Sequence, residues 1–388
     1  MASVARISII IRSLERGGTE THLLRTLPAI AECGFDIEVF CFERPGELAA
    51  KMREQKIRVV TPPFSGWVRH IPLVFKPITT VWTCLFFLYY LFSRNPNIVH
   101  FFLPAAYLLL GPISLLHSSK KVMSRRSLNR YLAKYPKWVR QTEQFLHGKM
   151  SLILANSNAV IRELTQTEFV PREKLSLVYN GVPDLTKTIC PDVQTVREEL
   201  GIRKETVVFL FVANLLPYKG GVDLIKACCL LGENSSLSSE WCLIIVGDNR
   251  AGKQHEMEQL AEENSIRSRL HFVGKQPNID RYLAIADIGV LVSHEEGFSN
   301  FVLEGMSAGI PMIVSDVGGN PEAVVNGVTG MVVPPHNANE LATAMSYLID
   351  NRDDADKMGR AAQVRAREEF SIMQSVSGYC QVYQSLDK

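Results

Sequence analysis

Short β-branched runs alternate with helix-length segments along the whole chain, and this alternation constrains the fold more than any other feature. In the first half the runs are Ile7 to Ile11, Ile37 to Phe42, Ile57 to Val60, Ile98 to Phe102, Lys121 to Met123, Leu152 to Ala155 and Leu175 to Tyr179. In the second half they are Val207 to Val212, Trp241 to Val246, Leu270 to Val273, Ile288 to Val292, Met312 to Val314 and Gly330 to Val333. Strands alternating with helices imply a parallel sheet, so each set is expected to form one α/β layer structure. Two Rossmann-like domains follow, and 388 residues are enough to give each its own core. Pro183, Pro191 and several polar residues interrupt the periodicity between Val182 and Gly201, which marks the boundary. The expected organisation is residues 1–185, residues 186–367 and a helical segment at 368–388.

The most informative local pattern is a pair of glutamates, Glu296 and Glu304, in a run that follows the strand-like segment Ile288 to Val292. Glu304 leads into the small-residue stretch Gly305-Met306-Ser307-Ala308-Gly309, which ends at Pro311. The spacing puts Glu296 in a strand-to-helix loop and Glu304 about two turns into the helix. Both are then expected at the carboxyl ends of a parallel sheet, where doubly wound folds bind ligands. An ionised carboxylate there suits the hydroxyls of a sugar or a ribose, because it accepts two or more strong hydrogen bonds. Elsewhere, Gly17-Gly18 follows the first strand and opens a helix, a place where backbone N–H groups and the helix dipole favour an anion. Lys219, in Asn214-Leu215-Leu216-Pro217-Tyr218-Lys219-Gly220-Gly221, stands in another strand-to-helix loop as a point charge suited to a phosphate.

Composition narrows the class. With 46% apolar and 21% charged residues the chain reads as globular, and a formal net charge of +2 gives no ground for a nucleic-acid partner. Eight scattered cysteines without a C-x-x-C pair point away from zinc or thiol redox chemistry and toward a reduced, cytoplasmic protein. The amino terminus lacks a secretory pattern, since its apolar run passes directly into the Gly-Gly loop. Pro77 to Ser93 is uncharged over seventeen residues, at the lower edge of a spanning length. A span there would separate strands that must pair, so a helix that is buried or faces a membrane is expected. Asp354-Ala355-Asp356 has the D-x-D form of metal-dependent transferases but sits in a polar helix start, so no metal is expected.

Around the glutamate pair the wording Glu296-Gly297-Phe298 to Glu304, then Ala308-Gly309-Ile310-Pro311 and Gly318-Gly319-Asn320-Pro321-Glu322, resembles the E-x7-E signature of the retaining glycosyltransferases of family four. The resemblance covers nearly the whole chain and implies the GT-B fold, two Rossmann-like domains facing across a cleft. It implies that Glu304 holds the donor ribose, and that Glu296, with backbone groups of Gly297, Phe298, Ser299 and Asn300, holds the donor sugar. Lys219, Gly17 and Gly18 would meet the diphosphate, and Gly274, Lys275 and Gln276 the base. The final helix would cross back to the first domain. Asn214 stands where family members commonly carry an arginine, so the second cation is sought among Arg125, Arg126 and Arg16. Arg126 is taken as catalytic with Lys219 and Glu296, and His100 and Arg125 as acceptor-side residues.

The activity implied is transfer of a hexose-type sugar from a nucleotide diphosphate sugar, without metal or other cofactor, to a saccharide or lipid-linked acceptor in cell-surface polysaccharide or glycolipid synthesis. Alternatives on the same fold are a nucleotide-sugar epimerase, a sugar phosphorylase, or a subunit that binds nucleotide or polysaccharide without turnover. The basic and aromatic residues Arg125, Arg126, Arg130, Tyr131, Lys134, Tyr135, Lys137, Trp138 and Arg140, with Trp67, Arg69, His70 and Lys76 ahead of Pro77, also suit peripheral contact with an anionic membrane at its cytoplasmic face.

Overall fold

A computed structural model describes residues 4–63, 76–129, 135–185 and 193–387. The chain folds as two units, Met1–Gly181 with Ile372–Lys388, and Val182–Ser371. The first contains β1 (Arg6–Ile11), α1 (Gly18–Glu32), β2 (Asp36–Cys41), α2 (Leu48–Glu54), β3 (Arg58–Val60), α3 (Lys76–Arg94), β4 (Ile98–Phe102), α4 (Pro104–Ser114), β5 (Lys120–Arg125), α5 (Lys137–Lys149), β6 (Leu152–Ala155), α6 (Asn158–Gln166) and β7 (Leu175–Leu177). The second contains α7 (Val193–Glu199), β8 (Val207–Val212), α8 (Gly221–Glu233), β9 (Trp241–Val246), α9 (Lys253–Glu263), β10 (Leu270–Gly274), α10 (Asp280–Leu283), β11 (Ile288–Leu291), α11 (Asn300–Ser307), β12 (Met312–Ser315), α12 (Asn320–Ala323), β13 (Gly330–Val333), α13 (Ala338–Asp350) and α14 (Arg352–Glu369). The last helix, α15 (Ile372–Leu386), belongs to the first unit and packs on α1.

Every strand pair is parallel. The first sheet runs β3-β2-β1-β4-β5-β6-β7 and the second β10-β9-β8-β11-β12-β13. Strand alternation builds the cores: Ile7, Ile9 and Ile11 of β1 join Leu23 and Leu27 of α1 and Tyr379 and Tyr383 of α15 on one face. Ile10 points the other way, into a cluster with Phe87 of α3, Leu110 of α4, Leu146 of α5 and Leu164 of α6. The uncharged segment is therefore helical, with Thr83, Phe87, Tyr90 and Leu91 buried along one side. Among the described residues no helix is long and apolar enough to cross a membrane. Five of the seven described cysteines are buried, Cys84 is half-buried and Cys33 is exposed; Cys190 lies outside the described residues.

Helix α15 is fastened through two tyrosines. The Tyr383 hydroxyl lies 2.7 Å from His100 Nδ1, and the Tyr379 hydroxyl lies 3.2 Å from His22 Nε2. His100 Nε2 meets Ser124 Oγ at 2.8 Å. Both imidazoles are fully enclosed, and burial, helped by the positive charge of Arg126, pushes their pKa values well below the ordinary 6.5. In the unfolded chain they take up protons near 6.5 while in the folded chain they stay neutral, so stability is present above that pH and falls as pH drops below it. We expect urea denaturation to show a loss of about 2–3 kcal/mol between about pH 7.5 and about pH 5.5, most of it below about pH 6.5, where each histidine contributes up to roughly 1.4 kcal/mol per pH unit. His100→Gln should remove about half of that slope; an unchanged slope would assign the effect elsewhere.

Candidate functional site

Two loops of the second sheet meet where its strand order reverses. Strands β9 and β10 lie to one side of β8, whereas β11, β12 and β13 continue on the other. At such a switch point the loops after the two central strands diverge and leave a crevice for a ligand. Lys219 comes from the loop after β8, on a short turn Pro217–Lys219, and Glu296 from the loop after β11. Lys219 Nζ donates to Glu296 Oε2 at 2.6 Å, and the two side chains are only 19% and 13% exposed. Burial alone would lower the Lys219 pKa, but the Glu296 carboxylate more than reverses this and raises it, so the ammonium stays charged.

The backbone holds this meeting in place. The His294 N–H donates to the Tyr218 carbonyl at 2.7 Å, tying the loop after β11 to the turn that carries Lys219. Gly220 ends that turn at φ +73, and a Cβ there would lie 1.9 Å from the Val292 carbonyl oxygen. Only glycine permits both the left-handed backbone and the close approach. Gly318, at φ +55, plays the same part for the loop after β12, where a Cβ would meet the Glu296 carbonyl oxygen at 1.7 Å. The neighbouring Gly319 N–H donates to the Gly297 carbonyl at 3.0 Å. Thus the Gly-Gly-Asn-Pro-Glu run supports the loop that carries Glu296.

Helix α11 opens at Asn300, where the Ser299 hydroxyl caps it by accepting from the Val302 N–H. Glu304 is therefore about one turn into the helix, not two, and is half-buried. Gly297 and Phe298 stay outside the helix because Gly319 holds the first and the Phe370 ring packs at 5.3 Å on the second. Asn214 is exposed and its side-chain oxygen accepts from the Asp248 N–H at 3.4 Å. Gly274 ends β10, its carbonyl accepting from the Gly247 N–H at 3.0 Å, and Gln276 Nε2 donates to the Val273 carbonyl, while Lys275 is exposed. All of these residues follow carboxyl ends of parallel strands, so they share one edge of one sheet.

A histidine and an aspartate stand behind the pair. His294 Nε2 lies 2.7 Å from Asp223 Oδ2 at the start of α8, and the His336 ring is 3.7 Å from that of His294. No sequence pattern flags them, because they come from two separate loops and the first turn of α8. Asp354, in the first turn of α14, receives bonds from Lys357 and the Tyr347 hydroxyl at the exposed surface, as a solvated helix start would.

In the first unit the acceptor-side expectations are corrected. Arg125 is 1% exposed and bonds Glu143 at 2.5 Å and Glu168 at 2.7 Å, so its guanidinium is committed inside the core. Burial would raise the Glu168 carboxyl, yet the hydrogen bond from His147 and the charge of Arg125 hold it below its ordinary value. His100 is also enclosed with both ring nitrogens bonded, and it anchors α15 instead of lining a surface. Arg126 is half-buried and donates to the Tyr379 hydroxyl and to Asn180 Oδ1 at 2.6 Å. Arg16 pairs with Glu47. Gly17 and Gly18 do open α1, with Gly18 exposed and Glu20 in the first turn. Arg130, Tyr131, Lys134, Trp67, Arg69 and His70 lie outside the described residues, as does the side chain of Lys76.

Two family models match this chain, one described as Glycosyltransferase Family 4 over residues 16–184 and one as Glycosyl transferases group 1 over residues 192–365. The chain belongs to the family-four glycosyltransferases. A D-inositol 3-phosphate glycosyltransferase of Corynebacterium aurimucosum is 26% identical over 94% of this chain and 92% of its own length. Among solved structures, a glycosyltransferase from Rickettsia africae superposes with a TM-score of 0.83 at 17% identity, covering 99% of both chains. Anabaena Alr3699/HepE in complex with UDP-glucose gives a TM-score of 0.81 at 21% identity over 98% of this chain and 99% of that one. These likenesses establish the GT-B fold.

Proposed function

We propose that this glycosyltransferase moves a hexose-type sugar from a nucleoside diphosphate sugar to a hydroxyl of a saccharide or lipid-linked acceptor, with retention and without a metal. The observation that carries the reading is the half-buried Lys219–Glu296 pair at the switch point of the second sheet. A diphosphate brought to Lys219 competes with Glu296 for the ammonium. The carboxylate so released can accept from hydroxyls of the donor sugar, while Glu304, on the following helix, accepts from the ribose. Charge on the departing diphosphate is then met by a fixed ammonium, the kind of preorganised electrostatics that needs no metal ion. Gly17 and Gly18 at the start of α1 would offer N–H groups to an anion, and Gly274, Lys275 and Gln276 would lie against the base. The relative bound to UDP-glucose supports a nucleotide-sugar donor. The enzyme is proposed to work in the cytoplasm, on the inner face of the membrane, in cell-surface polysaccharide or glycolipid synthesis.

A second reading, a subunit that binds nucleotide without turnover, draws on Asn214 in place of a cation beside Lys219. Purified protein separates the two. A panel of nucleoside diphosphates and their sugars should yield one that raises the melting temperature, adding about 2.7 kcal/mol of stability at 100 times its dissociation constant. Transfer or donor hydrolysis with that sugar supports the enzyme, and binding without either supports the subunit. Glu304→Ala should weaken the nucleoside diphosphate about 10- to 100-fold, the loss of charged hydrogen bonds worth about 1.5–3 kcal/mol. Unchanged affinity in calorimetry would remove Glu304 from the ribose site.

A further inference from the structure

Helix α3 carries two apolar sides: one is buried in the core, while the other, among the described residues, stays largely exposed, touched only at Trp82, whose Nε1 donates to the Pro63 carbonyl at 3.1 Å, and at Phe92, which meets the His117 ring edge-on. Thr83, Phe87, Tyr90 and Leu91 are buried, yet Ile78, Trp82, Leu85, Tyr89 and Phe92 recur at steps of four, three, four and three on the opposite side. Such spacing draws one stripe along a helix. The stripe is open, with Leu85 58% exposed, Tyr89 68% and Phe92 62%, and Val81 beside it 58%. No charged residue interrupts it from Pro77 to Ser93. A continuous apolar stripe of this length on a surface helix marks an interaction site.

The charge around it names the partner. From residue 55 to residue 142 the chain holds thirteen lysines and arginines and not one aspartate or glutamate. Lys121 and Arg125 are buried and Arg94 pairs with Glu38, and the stretch itself supplies no acid to offset the rest. The acid that ends this stretch, Glu143, is buried against Arg125. Helices α3, α4 and α5 lie in one layer over the same core, α4 packing against both neighbours. On α5 the exposed Trp138 and Phe145 stand among the exposed Lys137, Arg140 and Lys149, with Lys149 Nζ 5.4 Å from the Phe145 ring centre. A second copy docking through the same face would set this basic surface against itself. An anionic bilayer meets both features, taking aliphatic and aromatic side chains at headgroup depth and neutralising the cations around them.

We infer that the outward face of α3, with the basic and aromatic surface of α5, is a docking surface for an anionic lipid bilayer, on which the first unit rests without crossing it. The inference deepens the transfer reading above, on which it rests for one point alone: it favours the lipid-linked acceptor.

Sedimentation with vesicles tests it. The wild type should pellet with phosphatidylcholine vesicles containing phosphatidylglycerol, remain in solution with phosphatidylcholine alone, and be released by salt. Leu85→Asp with Phe92→Asp should weaken binding at least about tenfold, since both positions are exposed and the change sets charge against hydrocarbon. Lys137→Ala, Arg140→Ala and Lys149→Ala together should weaken it about 10²-fold, roughly a factor of five per charge. Both variants should keep the wild-type melting temperature and transfer to a short soluble acceptor, which separates failure of docking from failure of the enzyme reading. Wild type wholly in the supernatant at low salt with anionic vesicles in excess would overturn the inference. So would a wild-type dimer that the α3 variant converts to monomer without any vesicle binding.

Discussion

Lys219→Ala should lower the turnover number about 10²-fold or more while the dissociation constant for the nucleoside diphosphate rises much less. A charge aimed at a leaving diphosphate matters most where negative charge is greatest, in the transition state. The ammonium is already in position, 2.6 Å from Glu296 and mostly enclosed. Little reorganisation is therefore left to the moment of reaction. Lys219→Arg would keep the charge but not its location, because the planar guanidinium spreads its donors over a fork. It should recover only part of the rate. A chelator should leave the wild-type rate unchanged if the lysine and helix amino termini carry the neutralisation. Near-wild-type turnover in Lys219→Ala, or strict dependence on magnesium or manganese, would shift that role to another cation.

The frame of the protein was legible because buried parallel strands leave short β-branched runs. All thirteen expected runs became strands, with ends moved by a few residues at most. The site was legible in a different sense. Glu296, Glu304 and Lys219 were singled out by motif, but the contact between Lys219 and Glu296 spans 77 positions and no local pattern encodes it. The supports were less visible still. Gly318 reads as a turn glycine until its α-carbon is seen against the Glu296 carbonyl, and His294 and Asp223 meet across 71 positions. Strand β5 shows why the acceptor side was misread. The sequence ends it at Met123, yet it continues through Ser124 and Arg125. Polar residues there look like a loop, and what keeps them inside is a set of partners elsewhere in the chain: His100 for Ser124, and Glu143 and Glu168 for Arg125.

Arg125→Ala should then destabilise the first unit by about 3–5 kcal/mol, the usual cost of leaving a buried charge without its partner. Glu143 and Glu168 are 0% and 1% exposed, so neither carboxylate can turn to water when the guanidinium is gone. The network would not close around the gap. His147 already donates to Glu168 Oε2 at 2.7 Å and meets the Tyr107 hydroxyl at 2.9 Å through its other nitrogen, and Asn129 Nδ2 reaches Glu168 Oε1 at 3.2 Å. Replacing the whole charged set, Arg125→Met with Glu143→Gln and Glu168→Gln, should return much of the lost stability, because burial of neutral groups of similar size avoids the penalty for an orphaned ion. Urea denaturation of the single and triple variants measures both effects. A structural role leaves the Michaelis constant for acceptor unchanged in whatever fraction stays folded. The opposite outcome, wild-type stability with a raised acceptor Michaelis constant, would return Arg125 to the acceptor site and show that its two carboxylates do not depend on it.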